Sequence, residues 1–340
     1  MRFDFTPAQP QEDALLRQLL REPMQPGWVD MTLEREPSFF AGSGQWGQEF
    51  AVLCRHQGEL VGMFTCTRQQ LWVNGQKQPT TYLGGLRVLP RWRHRVAVQR
   101  QGFAAMARLV PPSPWRLTSI ARSNRRARRL LEAGVAGLPR YQPLGRLTTL
   151  ALARPRRRSA TQWAAPQPDE LPELLEFHGR HNQGVQFAPV LDSTTVQRIG
   201  LQHFRIWRQQ PGQQMVACAA YWNQQPFRQL VARRYARWVG WLRPVYNLLA
   251  RLLGGVLLPA QGQALEQTFL AFLTFAPGAP RTRLVEELVA HCPGPVAVLG
   301  TSPQDPLARR PGFRLDTVLY SVDPSEPLRP GPILPEAALL

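Results

Sequence analysis

The stretch that decides the reading is TTYLGGLRVLPRWRHRVAVQRQGFAAMARLV, Thr80 to Val110. Tyr82 to Leu89 is rich in Val, Leu and Tyr around the pair Gly84–Gly85, and Pro90 stops it. Arg91, Arg93, His94, Arg95 and Arg100 follow. Val98, Gly102, Met106 and Leu109 then recur at helical spacing. The order is strand, basic turn, helix. A helix start leaves backbone N–H groups unpaired and carries partial positive charge, so it can hold a phosphate. Arginines beside it add fork-shaped, charge-assisted donors. The stretch therefore reads as a site for a phosphorylated cofactor or an anionic chain. The competing reading is a solvated basic turn ahead of a core helix.

On the N-terminal side, Arg2 to Thr6 alternates like a strand, and Glu12 to Arg21 sets Leu15, Leu16, Leu19 and Leu20 on one helical face. Met24 to Gly44 reads as a loop plus a short helix, with Trp28, Phe39 and Phe40 as lining of a cleft or as plain packing. Phe50–Cys54 and Glu59–Cys66 form a hairpin around Gln57–Gly58; Leu71–Val73 extends it, and Asn74–Gly75 is a two-residue hairpin turn leading to Thr80. On the C-terminal side Pro111 to Pro114 is a break and Trp115 to Ala121 a strand. A helix capped by Ser123 or Asn124 follows, and Leu147 to Ala153 is read as the strand that closes a first sheet.

These residues resemble the GNAT acetyltransferase superfamily, in which a central strand ends in a run like LRVLPxxRGxGxG and the next helix receives the coenzyme A pyrophosphate. Leu86, Arg87, Val88, Leu89, Pro90 and Arg93 match, whereas the two loop glycines are replaced by Val96 and Val98. A side chain held in left-handed geometry costs roughly 1–2 kcal/mol; one extra charged hydrogen bond, about 1.5–3 kcal/mol, offsets part of this. GELVG, residues 58–62, is close to the third-strand signature of the same superfamily. The resemblance covers residues 2 to 153. It implies that main-chain groups of Leu86 and Val88 bind the pantetheine arm and that Arg93, His94, Arg95, Val96, Ala97 and Val98 hold the pyrophosphate. Asn124 and Ala127 match an N-x-x-A-x-x-x-Y pattern whose tyrosine, the acid for the leaving thiolate, is here Leu131. By the resemblance Asn124 sits near the thioester. Tyr141 is the nearby substitute acid or else a buried structural tyrosine.

The length of 340 residues suits two domains. The net charge is +18, and Lys77 is the single lysine among 41 basic residues. Such basicity makes nucleic acid or anionic lipid a partner class to test, although the arginines are scattered. Cys54, Cys66, Cys218 and Cys292 form no metal-like cluster and read as buried free thiols in a reducing cytoplasm. No metal is expected. The sequence has neither an apolar leader nor a spanning apolar run.

Residues 154–168 are rich in Pro and Arg and read as a linker between a donor-binding domain, 1–153, and a second domain, 169–323. His178 and His181 lie at i, i+3, as structural histidines or a general base. The second half repeats the first in element order: strands at His203–Arg208 and Gln213–Trp222, a central strand Thr268–Phe275, a helix Arg283–Ala290, then Val296–Gly300 and Leu315–Val322. Its turn APGAPRTR lacks a phosphate pattern, so it reads as a degenerate copy. An insertion, residues 232–259, carries Trp238, Leu242, Val245, Leu249, Leu252 and Val256 at helical spacing among arginines, with Pro244 expected to kink it. It reads as a lid across the halves, a helix lying on anionic membrane, or a dimer contact. Residues 324–340 read as an unordered proline-rich tail.

The fold class is thus α+β: two GNAT-like domains, each a mixed, mostly antiparallel sheet flanked by helices. The resemblance implies transfer of an acyl group from acetyl-CoA or another acyl-CoA to a small-molecule or peptide amine. The cysteine usage reads as cytoplasmic, and residues 232–259 as a contact able to place the protein at the inner membrane surface. Two rivals remain. One is an aminoacyl-tRNA-dependent transferase of tandem GNAT fold; the other is a non-catalytic module binding RNA, lipid or protein.

Overall fold

The computed structural model describes residues 1–22, 27–156, 160–210 and 212–340. Parts of the expected loop and linker, residues 23–26 and 157–159, lie outside them. The described elements run β1 (Asp4–Pro7), α1 (Asp13–Arg21), β2 (Val29–Glu34), β3 (Gln48–His56), β4 (Glu59–Val73), β5 (Gln76–Val88), α2 (Val96–Leu109), β6 (Trp115–Ala121), α3 (Arg125–Glu132) and β7 (Tyr141–Ala153). They continue α4 (Leu171–Asn182), β8 (Ala188–Pro189), α5 (Ser193–Ile199), β9 (Phe204–Arg208), β10 (Met215–Trp222), β11 (Gln229–Tyr235), α6 (Arg237–Leu253), β12 (Thr268–Phe275), α7 (Arg281–Ala290), β13 (Val296–Thr301) and β14 (Phe313–Val322).

The hairpins form where short-range turn chemistry specifies them. Gln57, Gly58, Asn74 and Gly75 all take positive φ, as tight turns matched to strand twist require. On α1, Leu16, Leu19 and Leu20 bury one face against Phe39, Leu53 and Met63.

The main sheet runs β1-β3-β4-β5-β6-β14-β7-β13-β12-β10-β9, with β8 on β4. It repeats about its middle. On each side two strands are parallel, β5 with β6 and β12 with β13, joined by a helix, α2 or α7. The rest pair antiparallel. At the centre the halves exchange their last strands. β14 lies between β6 and β7, and β7 lies between β14 and β13. The expectation that Leu147–Ala153 closes a first sheet is therefore corrected. That strand pairs with Val296–Thr301 and Phe313–Val322, and has no ladder to β6.

Three other expectations change. Within Met24–Gly44, residues 29–34 form β2, which pairs with β11 in a separate ribbon. Its buried Glu34 and Asp30 carboxylates accept from Arg233 and Arg234. Pro244 removes one hydrogen bond, yet α6 continues through it as one helix. Residues 324–340 are not a loose tail. Ala337–Leu339 form a 3₁₀ turn with Ala338 fully buried, and Gln224 and Gln69 donate to the carbonyls of Ala338 and Leu339 at 2.9 and 3.2 Å. Prolines give this segment a fixed extended path, and its apolar end residues drive burial.

His178 is buried in the second half. Its Nδ1 lies 2.8 Å from Thr274 Oγ1 and its Nε2 3.1 Å from the Pro189 carbonyl. Burial lowers its pKa from 6.5 to about 4, with the Pro189 carbonyl opposing the shift. It is a structural histidine, and His181 packs on Phe177. The unfolded chain takes a proton near pH 6.5 and the folded one only near pH 4, so this contribution is whole above pH 6.5 and is lost on acidification. Urea titrations from pH 7 to 4 should show wild type losing roughly 3 kcal/mol more stability than His178→Gln; parallel curves would refute this role.

Candidate functional site

The site begins where the parallel pair parts. β5 and β6 pair over Thr80–Tyr82 and Trp115–Leu117. Beyond this, side chains bridge the gap: Thr118 Oγ1 donates to the Leu83 carbonyl at 2.7 Å, and the Tyr82 and Ser119 hydroxyls meet at 2.8 Å. On the other edge of β5 the ladder to β4 slips between Met63 and Thr65, so two residues of β5 oppose one of β4. Gly85 takes φ +57° at this bulge, and a Cβ there would lie 2.5 Å from Thr65 Oγ1. Glycine at position 85 is thus required by backbone geometry. It turns β5 away from β6 and leaves Leu86 about half exposed.

The basic turn follows at the end of this wedge. Pro90–Trp92 is a single 3₁₀ turn, and the Arg95 N–H bonds the Trp92 carbonyl at 3.0 Å. α2 begins at Val96. Neither Val96 nor Val98 has positive φ: both lie in the first helical turn, Val98 with its side chain buried beside Phe3, Cys54 and Val61. The backbone cost expected from the missing glycines does not arise. Position in the first turn leaves the Val96 and Ala97 N–H groups without intrahelical partners.

Arg91, Arg93, His94 and Arg95 are exposed around that turn. Arg93 Nε donates to the Val88 carbonyl at 2.9 Å, so it clamps the strand end. Arg87 Nη1 donates to the Leu86 carbonyl at 3.1 Å. Desolvation, then the nearby Arg93, lowers the Arg87 pKa to about 10. Across the opening, Arg126 on α3 donates to His94 Nδ1 at 2.6 Å. From Pro90 to Leu131 the chain carries eleven arginines and no acidic residue. The wedge thus opens on a cationic rim built from the starts of α2 and α3.

Asn124 is the N-cap of α3, its Oδ1 accepting from the Ala127 N–H at 3.1 Å. Tyr141 starts β7 and packs against Phe103 and Tyr320, with ring centroids 6.4 and 5.9 Å apart. Burial raises its phenol well above the usual range, with Asp323 and Cys66 adding to the shift. Asn124 and Tyr141 share no direct contact in the described structure. Tyr320 links their elements: its hydroxyl donates to Glu132 and accepts from Arg128 Nε at 2.9 Å, both on α3. Sequence reasoning missed Tyr320 because it arrives on the exchanged strand. Arg126 belongs to the visible Arg122–Arg129 run but had no partner in the sequence. Phe39 is core and Trp28 lies against Trp238, so neither lines this wedge.

The second half has the matching wedge. β12 and β13 pair only over Thr268–Phe269 and Ala297–Val298, and β12 bulges at Phe272, which takes φ +54°. Here the chain fills the gap itself. Glu336 Oε2 accepts from the Phe272 N–H at 2.8 Å, and Ala337 sits against Gly300. Burial raises the Glu336 pKa against the lowering pull of the Ala338, Phe272 and Ala337 amides. Arg228 holds the same segment, donating to the carbonyls of Ala338, at 3.2 Å, and Leu340, while its guanidinium lies over the Trp46 ring of the first half at 5.6 Å. Between the halves runs a groove of about 380 Å³ lined by Trp46, Arg68, Gln69, Asp192, Arg198 and Phe272 among others. Among the described residues, no three His, Cys, Asp or Glu side chains gather as a metal-binding group.

No family model and no curated protein sequence matches this chain. Solved structures do. N-myristoyltransferase of Saccharomyces cerevisiae with bound myristoyl-CoA matches with a TM-score of 0.59 at 12% identity, over 97% of this chain and 84% of that one. A structure of the same enzyme with myristoyl-CoA and inhibitors gives 0.59 at 12%, over 97% and 81%. A GCN5-related N-acetyltransferase from Anabaena variabilis matches over 94% and 72% at 12% identity, with a TM-score of 0.49. At such identities the likeness is one of fold. This chain shares the fold of those N-myristoyltransferase structures: an α+β, mixed sheet with flanking helices.

Replacing Gly85 by Ala places a Cβ against Thr65 and forces it into left-handed geometry. We expect a loss of about 1–2 kcal/mol or more in chemical denaturation. Adding Thr65→Ala should recover the steric part, and equal stability of Gly85→Ala and wild type would contradict the bulge.

Proposed function

We propose that the chain is a cytoplasmic, acyl-CoA-dependent N-acyltransferase whose donor site is the first wedge, within residues 1–153. The observation that carries this reading is the difference between the two wedges. The second is filled by residues 336–339, whereas the first ends at a helix start rimmed by arginine. A diphosphate suits that rim: the Val96 and Ala97 amides point outward from the helix start, with Arg95, His94 and Arg126 around them. A bound diphosphate would relieve the repulsion among these cations. The pantetheine arm would lie along β5 past Gly85 and Leu86. Since Arg93 occupies the Val88 carbonyl, Val88 would bind through it only after that guanidinium turns to the phosphate. Four buried free cysteines suit a reducing compartment.

The reaction forms a C–N bond from the acceptor amine to the acyl carbon and breaks the C–S bond of the thioester. The amine gives up one proton and the departing thiolate takes one, so no net acid is needed. Tyr141 is a poor source for that proton. Its raised phenol holds a proton more tightly than an ordinary thiol, whose pKa is about 8.5. Solvent relaying the amine's own proton is favoured. Asn124 acts through the α3 cap, keeping Arg126 over the opening. The groove between the halves is the proposed approach for a small-molecule or peptide amine.

Thermal melts with a series of acyl-CoA chain lengths test the reading. A donor at 100 times its Kd should add about 2.7 kcal/mol of stability, and Arg95→Ala/Arg126→Ala should weaken binding by about tenfold or more. Absence of a shift with every acyl-CoA, or unchanged affinity in the double variant, would overturn the assignment.

A further inference from the structure

α6 is built inside out. At about 100° per residue, Trp238, Trp241, Leu242, Val245, Leu249 and Leu252 fall within one arc of roughly 100°. That arc faces solvent: Trp241 is 85% exposed, and the other five are all more than half exposed. Its opposite side faces the protein. Ala250 is buried, Asn247 exchanges two hydrogen bonds of 2.9 Å with Leu258, and the Tyr246 hydroxyl donates to the Val256 carbonyl at 3.0 Å. These anchors fix the helix about its axis, so the apolar arc cannot turn inward. A lid over the wedge would bury this face; the structure instead extends it with Trp28, packed edge-on against Trp238 at 5.4 Å.

Charge decides among partners. Arg237, Arg243 and Arg251 are the only charged residues from Ala236 to Leu265, and no acidic residue occurs there. Arg237 and Arg251 are exposed on one flank of the helix, beside the apolar arc. A second copy would bring like charges together, whereas an anionic surface would neutralise them. Indole rings beside an apolar arc suit the headgroup boundary. No helix among the described residues is long and apolar enough to cross a membrane, so α6 would lie along the surface.

We infer that α6 docks the protein onto an anionic phospholipid bilayer, its tryptophan and leucine face sunk into the headgroup boundary and its arginines on the lipid phosphates. Co-sedimentation of the full chain with vesicles of phosphatidylcholine, with and without phosphatidylglycerol, tests this. Capture by the anionic vesicles, weak capture by the neutral ones, and release by salt are expected. Trp241→Gln/Leu252→Gln should lower capture by roughly tenfold or more, and Arg237→Gln/Arg251→Gln should remove the preference for anionic lipid. All four side chains are exposed, so melting temperatures should stay at the wild-type value. Equal capture of wild type and the Trp241/Leu252 variant would overturn the inference. So would failure to bind any vesicle. A dimer in solution that the same variant splits, without vesicle binding, would assign the face to a second copy instead.

Discussion

The central pairing of β7 with β14 governs the architecture. Each strand is the last of its half, and each has crossed to lie against the other half's ladder. Ten registered pairs, from Phe313–Ala151 to Val322–Tyr141, join them. Strand edges left unpaired expose rows of backbone donors and acceptors. The exchange removes those edges from the middle of the molecule and makes one sheet of two halves. Neither half can complete its sheet alone.

A repeated topology gives two equivalent places where parallel strands part, and the sequence treats them differently. In the first, Gly85 meets the left-handed bulge without strain, and the strand runs on to a cationic helix start. In the second the same turn falls on Phe272, a bulky residue for which left-handed geometry costs about 1–2 kcal/mol. The bond from its amide to Glu336 and the packing of Ala337 and Ala338 help hold it there. One wedge has become structural support, and its filling strap also accepts a hydrogen bond from Gln69 on β4 of the first half.

Local chemistry was legible in the sequence. The turns at Gln57–Gly58 and Asn74–Gly75, the α1 face, the Gly84–Gly85 strand and the helix beyond Pro90 all depend on neighbours in the chain. Pairings set by distant partners were not. Nothing near Leu147 announces Val298 or Thr317, and nothing in Val29–Glu34 announces β11. The periodicity of α6 was readable, but not the outward direction of its apolar face, which is set by Asn247, Tyr246 and the returning strand of chain. Val96 and Val98 looked like damage to a glycine loop because the pattern assumes left-handed backbone there; a 3₁₀ turn at Pro90 delivers the chain to α2 with ordinary dihedrals instead. The Tyr320–Arg128–Glu132 network exists only because β14 is exchanged.

The account turns on the two wedges being alike in topology and opposite in use. Hydrogen–deuterium exchange with and without saturating acyl-CoA measures this directly, because ligand contact slows amide opening locally. The account requires slower exchange across residues 83–98 and 122–129 with no change at 268–275. Protection confined to 268–275, or none in either wedge, would contradict it.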